Sequence, residues 1–291
     1  MYRSVHRLLS VILTFTVMML SSTAGYAEKV TWMTSHFPPI SILKGDDKGT
    51  GYADLTMTYF LNRMAGFEHQ VFPETNFPRA LETIKREDGV CHPALLKSKE
   101  RELFIEYSKP VYYNLPNHLI IHKDKVSLLE PHLVDGIVNF LSLAGDGALI
   151  GTVVAGRVYG PSVTEALRKI GKVDHISEVM QTNSSYKQLN AGWADYTVSY
   201  PAEVPFQLNT IEMKKNDLRY FPIHGMEGIV LGYFGCSKRK LGKKVIEAVN
   251  DLIDQSGSEP PWRAYYRRWL NESGKELFDR ELKKFISSRR Q

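Results

Sequence analysis

The sequence predicts an α/β protein made of two lobes, each with its own sheet. Apolar, strand-like runs alternate with segments of helical periodicity, and this alternation is completed twice along the chain. The last strand-like run is followed only by helical segments, which have no strands of their own. We therefore expect the chain to end by packing helices on a lobe that it formed earlier.

The first 27 residues have the three parts of a secretory signal peptide. Arg3 and Arg7 give a basic start, residues 8–20 form an uncharged apolar run, and small residues end a potential cleavage site at Ala27. The apolar run is shorter than the roughly 20 residues that a spanning helix needs. We expect cleavage after Ala27 and export of residues 28–291 to an oxidising compartment.

The charge and histidine patterns argue against nucleic-acid and metal binding. The formal net charge of +5 falls when the basic leader is removed, and the remaining excess is spread thinly. The C-terminal stretch KELFDRELKKFISSRRQ alternates in sign, which is typical of a solvated helix face. The histidines are scattered, and the one beside a cysteine, in VCHP, lacks a second pair of ligands. We expect no nucleic-acid partner, no metal and no cofactor.

The first lobe begins with a β-α-β-α-β pattern. A strand in KVTWM is broken by HFPP, because the prolines remove hydrogen-bond donors. From Tyr52 onward, apolar residues recur at three- and four-residue spacing, which predicts a helix. A strand (HQVFPE), a helix (RALETIKRED) and a third strand (GVCHPALL) complete the right-handed unit.

A single long strand, Val111 to His122, is predicted next, and the order of residues 124–147 is left open. The second lobe follows as strands and helices in GALIGTVVAGRVYG, SVTEALRKIG, VDHISEV, SSYKQLNAGW and ADYTVSY. A final strand, EGIVLGYFGCSK, precedes the terminal helices. The tryptophan and tyrosine stripe from Trp262 to Leu270 has helical spacing, which favours a core face over a ligand platform.

Several segments resemble the family 3 extracellular solute-binding proteins, the periplasmic receptors of polar amino-acid ABC importers. The matching segments are FPPISI…GTGYADL, KSKERELFIEYSKPVYY, IGTVVAGRVYG, LNAGWADYTV and FGCSKRKLGKKVIEAVNDLI. The second and fourth are the most specific, because a charged turn ending in Glu-Arg before an aromatic Ser-x-Pro strand is unusual elsewhere. Together the segments cover most of the chain after the leader.

The resemblance implies a two-lobed, type II periplasmic-binding-protein-like fold in which the chain crosses between the lobes twice. Residues 28–112 and 227–291 would form the first lobe, and residues 113–226 the second. A small polar or anionic ligand, such as an amino acid or a related carboxylate, would be captured in the interlobe cleft by hinge closure. The expected partners are that ligand and an ABC transporter permease or a membrane receptor, with the protein itself a monomer.

The resemblance also indicates two ligand contacts in the first lobe. Arg101 falls where family members that bind amino acids grip the α-carboxylate, and a guanidinium suits a carboxylate because it donates two parallel hydrogen bonds. The alternative is a structural ion pair with Glu100 or Glu106. Phe37 matches an aromatic wall of the family's cleft, or else belongs to the core of the lobe.

Further contacts are expected from the strand-to-helix turn of the second lobe. Backbone amides around Gly156 and Gly160 could hold an anion at the start of a helix, and Arg157 adds a cation there. Tyr159 is expected along the same edge. The resemblance therefore adds Gly156, Arg157 and Tyr159 to the candidate ligand-binding residues.

The second lobe departs from amino-acid receptors at one position. The acid that neutralises the amino group of the ligand is replaced here by Tyr200 or its neighbours. Asp195 corresponds to a strand-start residue that is usually structural, and Glu203 could substitute for the acid from a few residues on. The stretch before the Glu-Arg turn, PALLK, also has few hydroxyl donors. An anionic or aromatic molecule therefore fits the site at least as well as an α-amino acid.

The sequence contains two cysteines, Cys91 and Cys236. An even number in an oxidising compartment makes a disulfide possible, with two buried free thiols as the alternative. The resemblance places both cysteines on segments of one lobe, which favours the disulfide.

Three functions are consistent with these features. The first is a non-catalytic binding protein for an importer, and the second is a sensor that passes its closed state to a receptor. The third is an enzyme of the same fold, such as a dehydratase, which would need a general acid from Glu74, Asp195 or Glu203. None of these acids stands in a motif that singles it out, so we expect binding rather than catalysis.

Overall fold

The computed structural model describes residues 27–73, 76–211, 217–226 and 228–288. The predicted signal peptide, apart from Ala27, lies outside these ranges. No helix within them is both long enough and apolar enough to cross a membrane.

The first lobe is built on a mixed sheet. Its strands are β1 (Glu28–Met33), β2 (Phe67–Phe72), β3 (Val90–Leu95), β4 (Ile105–Tyr107), β5 (Tyr112–Asn114) and β13 (Val230–Ser237). The order is β2-β1-β3-β13-β4, and β5 also pairs with β13. β1 is parallel to β2 and β3, as the β-α-β-α-β pattern predicts, whereas β13 is antiparallel to β3.

The second lobe has its own sheet in the order β10-β9-β11-β6-β12. These strands are β6 (His118–His122), β9 (Gly151–Val154), β10 (Ile176–Val179), β11 (Tyr196–Ser199) and β12 (Leu218–Pro222). The segment whose order was left open contains a 3-10 helix (Lys123–His132) and a small hairpin of β7 (Leu133–Val134) and β8 (Ile137–Val138).

Helices cover both sheets. They are α1 (Tyr52–Leu61), α2 (Phe77–Arg86), α3 (Phe140–Asp146), α4 (Pro161–Ile170), α5 (Thr182–Asn190), α6 (Glu203–Ile211), α7 (Lys240–Gln255), α8 (Trp262–Arg267) and α9 (Glu272–Ser288). The last three contribute buried residues to the first-lobe core, among them Val245, Trp262, Tyr266 and Phe278. The aromatic stripe is therefore mainly core, as its spacing predicted.

The prediction of one long strand from Val111 to His122 is wrong. The segment is divided between β5 in the first sheet and β6 in the second, and residues 115–117 connect them. Pro116 has no amide donor, so the chain cannot pair continuously through this point. Helix α8 holds the connection, because Tyr266 Oη accepts a hydrogen bond from Leu115 N–H at 2.9 Å. The indole of Trp262 donates to the carbonyl of Val111 at 3.0 Å.

Cys91 and Cys236 form a disulfide between β3 and β13. The two residues are directly opposite in the antiparallel pairing of these strands, and both are fully buried. The covalent link joins two neighbouring strands within the first-lobe sheet, and the whole second lobe lies in the chain between the two cysteines.

Candidate functional site

A cavity of about 770 Å³ lies between the two lobes. Its first-lobe wall comes from the segment after β1, the ends of α2 and β3, and the turn that begins at Arg101. Its second-lobe wall comes from the turn after β9 and from the start of α6. This volume is within the range of small-molecule sites, which are mostly apolar with a few placed polar groups.

The segment that follows β1 is fixed by a buried carboxylate. Asp54, in the first turn of α1, accepts hydrogen bonds from the hydroxyl of Ser41, from Ile42 N–H at 2.7 Å and from Gly51 N–H at 3.2 Å. Burial raises the pKa of Asp54, although these hydrogen bonds oppose that shift. The loop that carries Phe37 is therefore anchored from within the lobe rather than by the ligand.

Arg101 lines the first-lobe side of the cavity. It starts a short 3-10 helix, its guanidinium donates to the carbonyl of Leu96 at 3.1 Å, and it lies 5.0 Å from the ring centroid of Phe77. Neither Glu100 nor Glu106 forms an ion pair with it in the part of the chain that the structure describes. A guanidinium with one carbonyl partner retains donors for an anion.

His92 stands beside Arg101 on the same wall. Its Nδ1 accepts a hydrogen bond from Ala94 N–H at 3.1 Å, so the proton of the neutral ring is on Nε2. Nε2 is buried and has no partner among the described residues. Burial, aided by the charge of Arg101, lowers the pKa of His92 to about 4. A neutral, buried imidazole therefore lies beside the Arg101 cation on this wall.

Arg157 lies on the opposite wall and is held by three segments of the second lobe. Its guanidinium donates to Glu203 Oε2 at 2.8 Å, to the Thr182 hydroxyl at 3.3 Å and to Asn117 Oδ1 at 3.4 Å. Burial works against its charge, but the Glu203 carboxylate outweighs this effect, and the pKa of Arg157 is raised above its ordinary value. Arg157 is therefore a buried cation whose counter-ion belongs to the protein.

Three aromatic rings surround the Arg157 guanidinium. The carbon at its centre lies 5.3 Å from the Phe37 ring centroid, 5.2 Å from that of Tyr159 and 5.4 Å from that of Tyr200. Phe37 belongs to the first lobe, so this contact spans the cleft. Distances of this size place the cation over the ring faces, where the attraction is strongest.

The candidate residues of the second lobe do not all face the cavity. Gly156, Arg157 and Tyr200 line it, whereas Tyr159 is buried behind them. The Tyr159 hydroxyl accepts from Val154 N–H at 2.6 Å, which fixes the ring under Arg157. Gly156 has a φ of +70° and open space beyond its Cα, so the tight turn itself favours glycine at this position.

Glu203 is the carboxylate that completes this wall. It begins α6, is 1% exposed, and accepts three hydrogen bonds through Oε2: from Arg157, from the hydroxyl of Ser199, and from Tyr200 N–H at 3.1 Å. Its other oxygen, Oε1, is buried without a partner among the described residues. Because Oε1 has almost no accessible surface, the role of Glu203 on this wall is that of the buried counter-ion of Arg157.

The charges of the described cavity residues are unequal. The cations are Lys44, Arg101 and Arg157, while Glu203 is the carboxylate among them. Glu203 compensates Arg157, whereas Arg101 has no carboxylate partner among the described residues. Six aromatic side chains contribute to the rest of the surface: Phe37, Tyr52, Phe77, Tyr112, Tyr200 and Tyr266.

Sequence reasoning missed several of these residues. Asn117 lies in the connection that was predicted as strand, and His92 was considered only as a metal ligand. Asp195 lies away from the cavity, where it accepts from Ile150 N–H at 2.9 Å and pairs with Lys125 at 3.0 Å, while Glu74 lies outside the described residues. The sequence did indicate Glu203 as a possible acid of this wall, because it lies a few residues after Tyr200, where amino-acid receptors have their carboxylate.

No family model matches the sequence, and no curated protein matches it. Solved structures do match. The extracellular-binding protein ytmK of a probable amino-acid ABC transporter from Bacillus subtilis is 20% identical, with a TM-score of 0.58 over 84% of this chain and 99% of that protein. An ancestral cationic amino acid solute binding protein is 15% identical, with a TM-score of 0.61 over 84% and 96% of the two chains. The periplasmic VFT2 domain of BvgS from Bordetella pertussis is 13% identical, with a TM-score of 0.56 over 83% and 92%.

At these identities the similarity shows the fold. The chain has the α/β, two-lobed type II fold of periplasmic binding proteins, and the sequence-based prediction of this fold is confirmed. The neighbours include extracellular binding proteins of amino-acid ABC transporters, the class that the sequence segments resemble.

Proposed function

We propose that this protein is a periplasmic solute-binding protein that captures a small carboxylate with an apolar or aromatic body between its two lobes. The observation that carries the proposal is the position of Arg101. Its guanidinium lines a cavity that extends across both lobes and that has more cations than carboxylates on its described walls. Anion recognition by a guanidinium in a partly desolvated cleft is favourable, because its donors match a carboxylate in two parallel hydrogen bonds.

The aromatic residues around the cavity support a ligand with an apolar body. Six aromatic side chains line the space, and burying an apolar group against them is favourable. The ligand would contact both lobes and stabilise the closed state through those contacts. In this proposal the protein binds its ligand without converting it.

Delivery to an ABC importer is the first candidate for the biological role. Neighbours described as amino-acid ABC transporter binding proteins support it. A sensory role is the second candidate, because other neighbours are the BvgS domain and a histidine kinase sensor domain. Both roles use the same closure of the lobes around a ligand.

The proposal is tested by calorimetric titration of residues 28–291 with small aliphatic and aromatic carboxylates and with amines of the same size. We expect carboxylates to bind and to raise the melting temperature, since a ligand of the folded state must stabilise it. Arg101→Ala should weaken binding by about 10- to 100-fold, because a hydrogen bond to a charged group contributes about 1.5–3 kcal/mol.

Arg63→Ala is the matched control. Arg63 also donates to a backbone carbonyl, that of Tyr59, at 3.1 Å, and it lies 3.8 Å from the Tyr59 ring centroid, but it is exposed and outside the cleft. Both variants should lose similar amounts of stability, and only Arg101→Ala should lose binding. Binding of amines in preference to carboxylates, or normal binding by Arg101→Ala, would contradict the proposal.

A further inference from the structure

We infer that Asp54 is a positioning residue of the cavity: by holding Ser41 it fixes the Phe37 ring, and so sets a preference for carboxylates with an aromatic body. This inference rests on the proposed function, because it concerns the apolar body of the same ligand. Asp54 is not among the described residues that line the cavity, so its effect on binding is exerted through the segment that follows β1.

The segment between β1 and α1 supplies much of the first-lobe wall. Eight of its residues, from Thr34 to Lys44, line the cavity. Its centre is a tight turn closed by an isolated bridge. Phe37 N–H donates to the Ser41 carbonyl at 2.9 Å, and Ser41 N–H donates to the Phe37 carbonyl at 3.0 Å. The position of Ser41 therefore sets the position of Phe37.

Asp54 holds Ser41 directly. Its Oδ1 accepts from the Ser41 hydroxyl, and its Oδ2 accepts from Ile42 N–H at 2.7 Å and from Gly51 N–H at 3.2 Å. Asp54 is 7% exposed, so these hydrogen bonds are shielded from water. A Cβ atom at position 51 would lie 2.7 Å from Oδ2, so this close approach needs glycine there. The carboxylate therefore joins the start of α1 to the residue that is bridged to Phe37.

The Phe37 ring faces a fixed partner on the second lobe. The central guanidinium carbon of Arg157 lies 5.3 Å from the ring centroid, and Arg157 is itself bonded to side chains from three segments. A displacement of the turn at Ser41 therefore changes the gap between Phe37 and the second lobe. A ligand ring gains the additional attraction of an aromatic pair only if the two rings meet in a defined geometry, whereas a saturated ring gains from buried area alone.

Matched pairs of ligands test this inference. Benzoate with cyclohexanecarboxylate, and phenylacetate with cyclohexylacetate, share a carbon skeleton and differ in their π faces. Titration calorimetry with the wild-type protein should show the aromatic member of at least one pair binding about threefold tighter or more, with neither pair reversed. Asp54→Asn places an amide NH₂ among N–H donors, so it should bring this ratio of affinities close to one.

Two further variants separate positioning from stability. Phe37→Leu should also bring the ratio close to one, and adding Asp54→Asn to Phe37→Leu should change the ratio no further. Asp88→Asn is the matched control. Asp88 also accepts at the start of a first-lobe helix, from Leu241 N–H at 3.1 Å and Gly242 N–H at 3.0 Å, but it is not among the described cavity residues. This control should lower the free energy of unfolding in urea and leave the ratio unchanged.

The outcomes distinguish this inference from the proposed function. A wild-type ratio near one, an unchanged ratio in Asp54→Asn, or a further change when Asp54→Asn is added to Phe37→Leu overturns the inference and leaves carboxylate binding intact. If Asp54→Asn does not fold, Ser41→Ala removes the hydroxyl link alone and should lower the ratio in the same direction, and an unchanged ratio for it overturns the inference. Binding of no carboxylate at all contradicts the proposed function as well.

Discussion

At the residue scale, the contacts of Arg157 argue against the role of anion contact that its position in the sequence indicated. A lone arginine in a strand-to-helix turn is a candidate anion contact, but here its guanidinium is bonded to side chains from three segments. Two charges that are buried together must satisfy each other, because the cost of leaving either one unpaired is large. The second lobe therefore contributes shape and ring faces to the cavity, and the charge of Arg157 is compensated within that lobe.

His92 makes the stability of the protein depend on pH. Its pKa is about 4 in the folded protein, against an ordinary value of 6.5, because burial disfavours the charged ring. The unfolded chain therefore binds more protons between pH 6.5 and 4, and stability falls as the pH falls through this window. The contribution of one such group is at most about 3 kcal/mol. Burial also lowers the pKa of His69 and His118, which adds changes of the same sign.

His92→Asn tests this contribution, since the asparagine oxygen can replace Nδ1 as acceptor for Ala94 N–H without titrating in this range. Urea unfolding at several pH values between 7 and 4 should give a shallower loss of unfolding free energy for the variant than for the wild type. Equal slopes for the two proteins would show that His92 is not the source of the effect.

At the element scale, the disulfide between β3 and β13 closes a very long loop. The cysteines are separated by 145 residues, and the enclosed chain includes the entire second lobe. In the chain-entropy model a crosslink of this length stabilises the folded state by about 5 kcal/mol, and measured values are often smaller. The crosslink restricts the unfolded chain while joining two strands that are already neighbours.

The double variant Cys91→Ala, Cys236→Ala should therefore unfold at lower urea concentration, with a loss of about 2–5 kcal/mol. The unreduced wild-type protein, denatured and treated with a thiol reagent, should show no labelling of either cysteine. Labelling of both thiols in protein purified from an oxidising compartment would contradict the link, as would an unchanged urea midpoint for the double variant.

The connection between the lobes shows why some elements were not predictable. Eight of the twelve residues from Val111 to His122 are apolar or aromatic other than histidine, so the local pattern alone predicts one strand. The strand ends at Asn114 because residues 115–117 are held by partners far along the chain, including Tyr266 and Tyr159. By contrast, helices α1 and α2 were predictable from the spacing of apolar residues within each segment. Helix α2 is also capped locally by Asn76, whose side chain accepts a hydrogen bond from Arg79 N–H at 2.9 Å.

At the scale of the whole molecule, the two lobes touch at more than the ligand site. Phe206 of α6 and Trp269 after α8 have ring centroids 6.0 Å apart, and Ala202 is buried within the first-lobe core. The start of α6 therefore packs against the first lobe, although Glu203 in the same turn belongs to the second-lobe wall of the cavity. Because Arg101 is on the opposite wall, a rotation of one lobe against the other would change the distance between Glu203 and Arg101.

Spin labels on exposed residues of the two lobes measure this rotation. Leu103 and Met180 are 80% and 83% exposed and belong to different lobes, so cysteine substitution at both positions leaves the core unchanged. The distance between the labels should shorten and its distribution narrow when the tightest-binding carboxylate of the titration series is added. A control pair within the first lobe, Leu103 with Glu68, should keep its distance. An unchanged distance across the cleft in the presence of saturating carboxylate would contradict hinge closure.

The sequence by itself determined the alternating elements, the two-lobed α/β fold and the helical tail without strands. These features depend on local spacing, on prolines and on turn residues, all of which act over a few positions. Arg101 and Phe37, which both line the cavity, were singled out by the resemblance to solute-binding proteins and not by spacing.

Only the tertiary structure decided which charges are free and which polar atoms lack partners. Arg157 and Glu203 are 46 residues apart, and their pairing leaves Arg101 as the cleft guanidinium without a carboxylate partner among the described residues. The tertiary structure also placed the Tyr159 hydroxyl against the backbone of Val154 and left Nε2 of His92 buried without a partner among the described residues. Burial, counter-charges and hydrogen bonds are set by residues that meet only when the chain has folded, and these determine which ligand the cleft can hold.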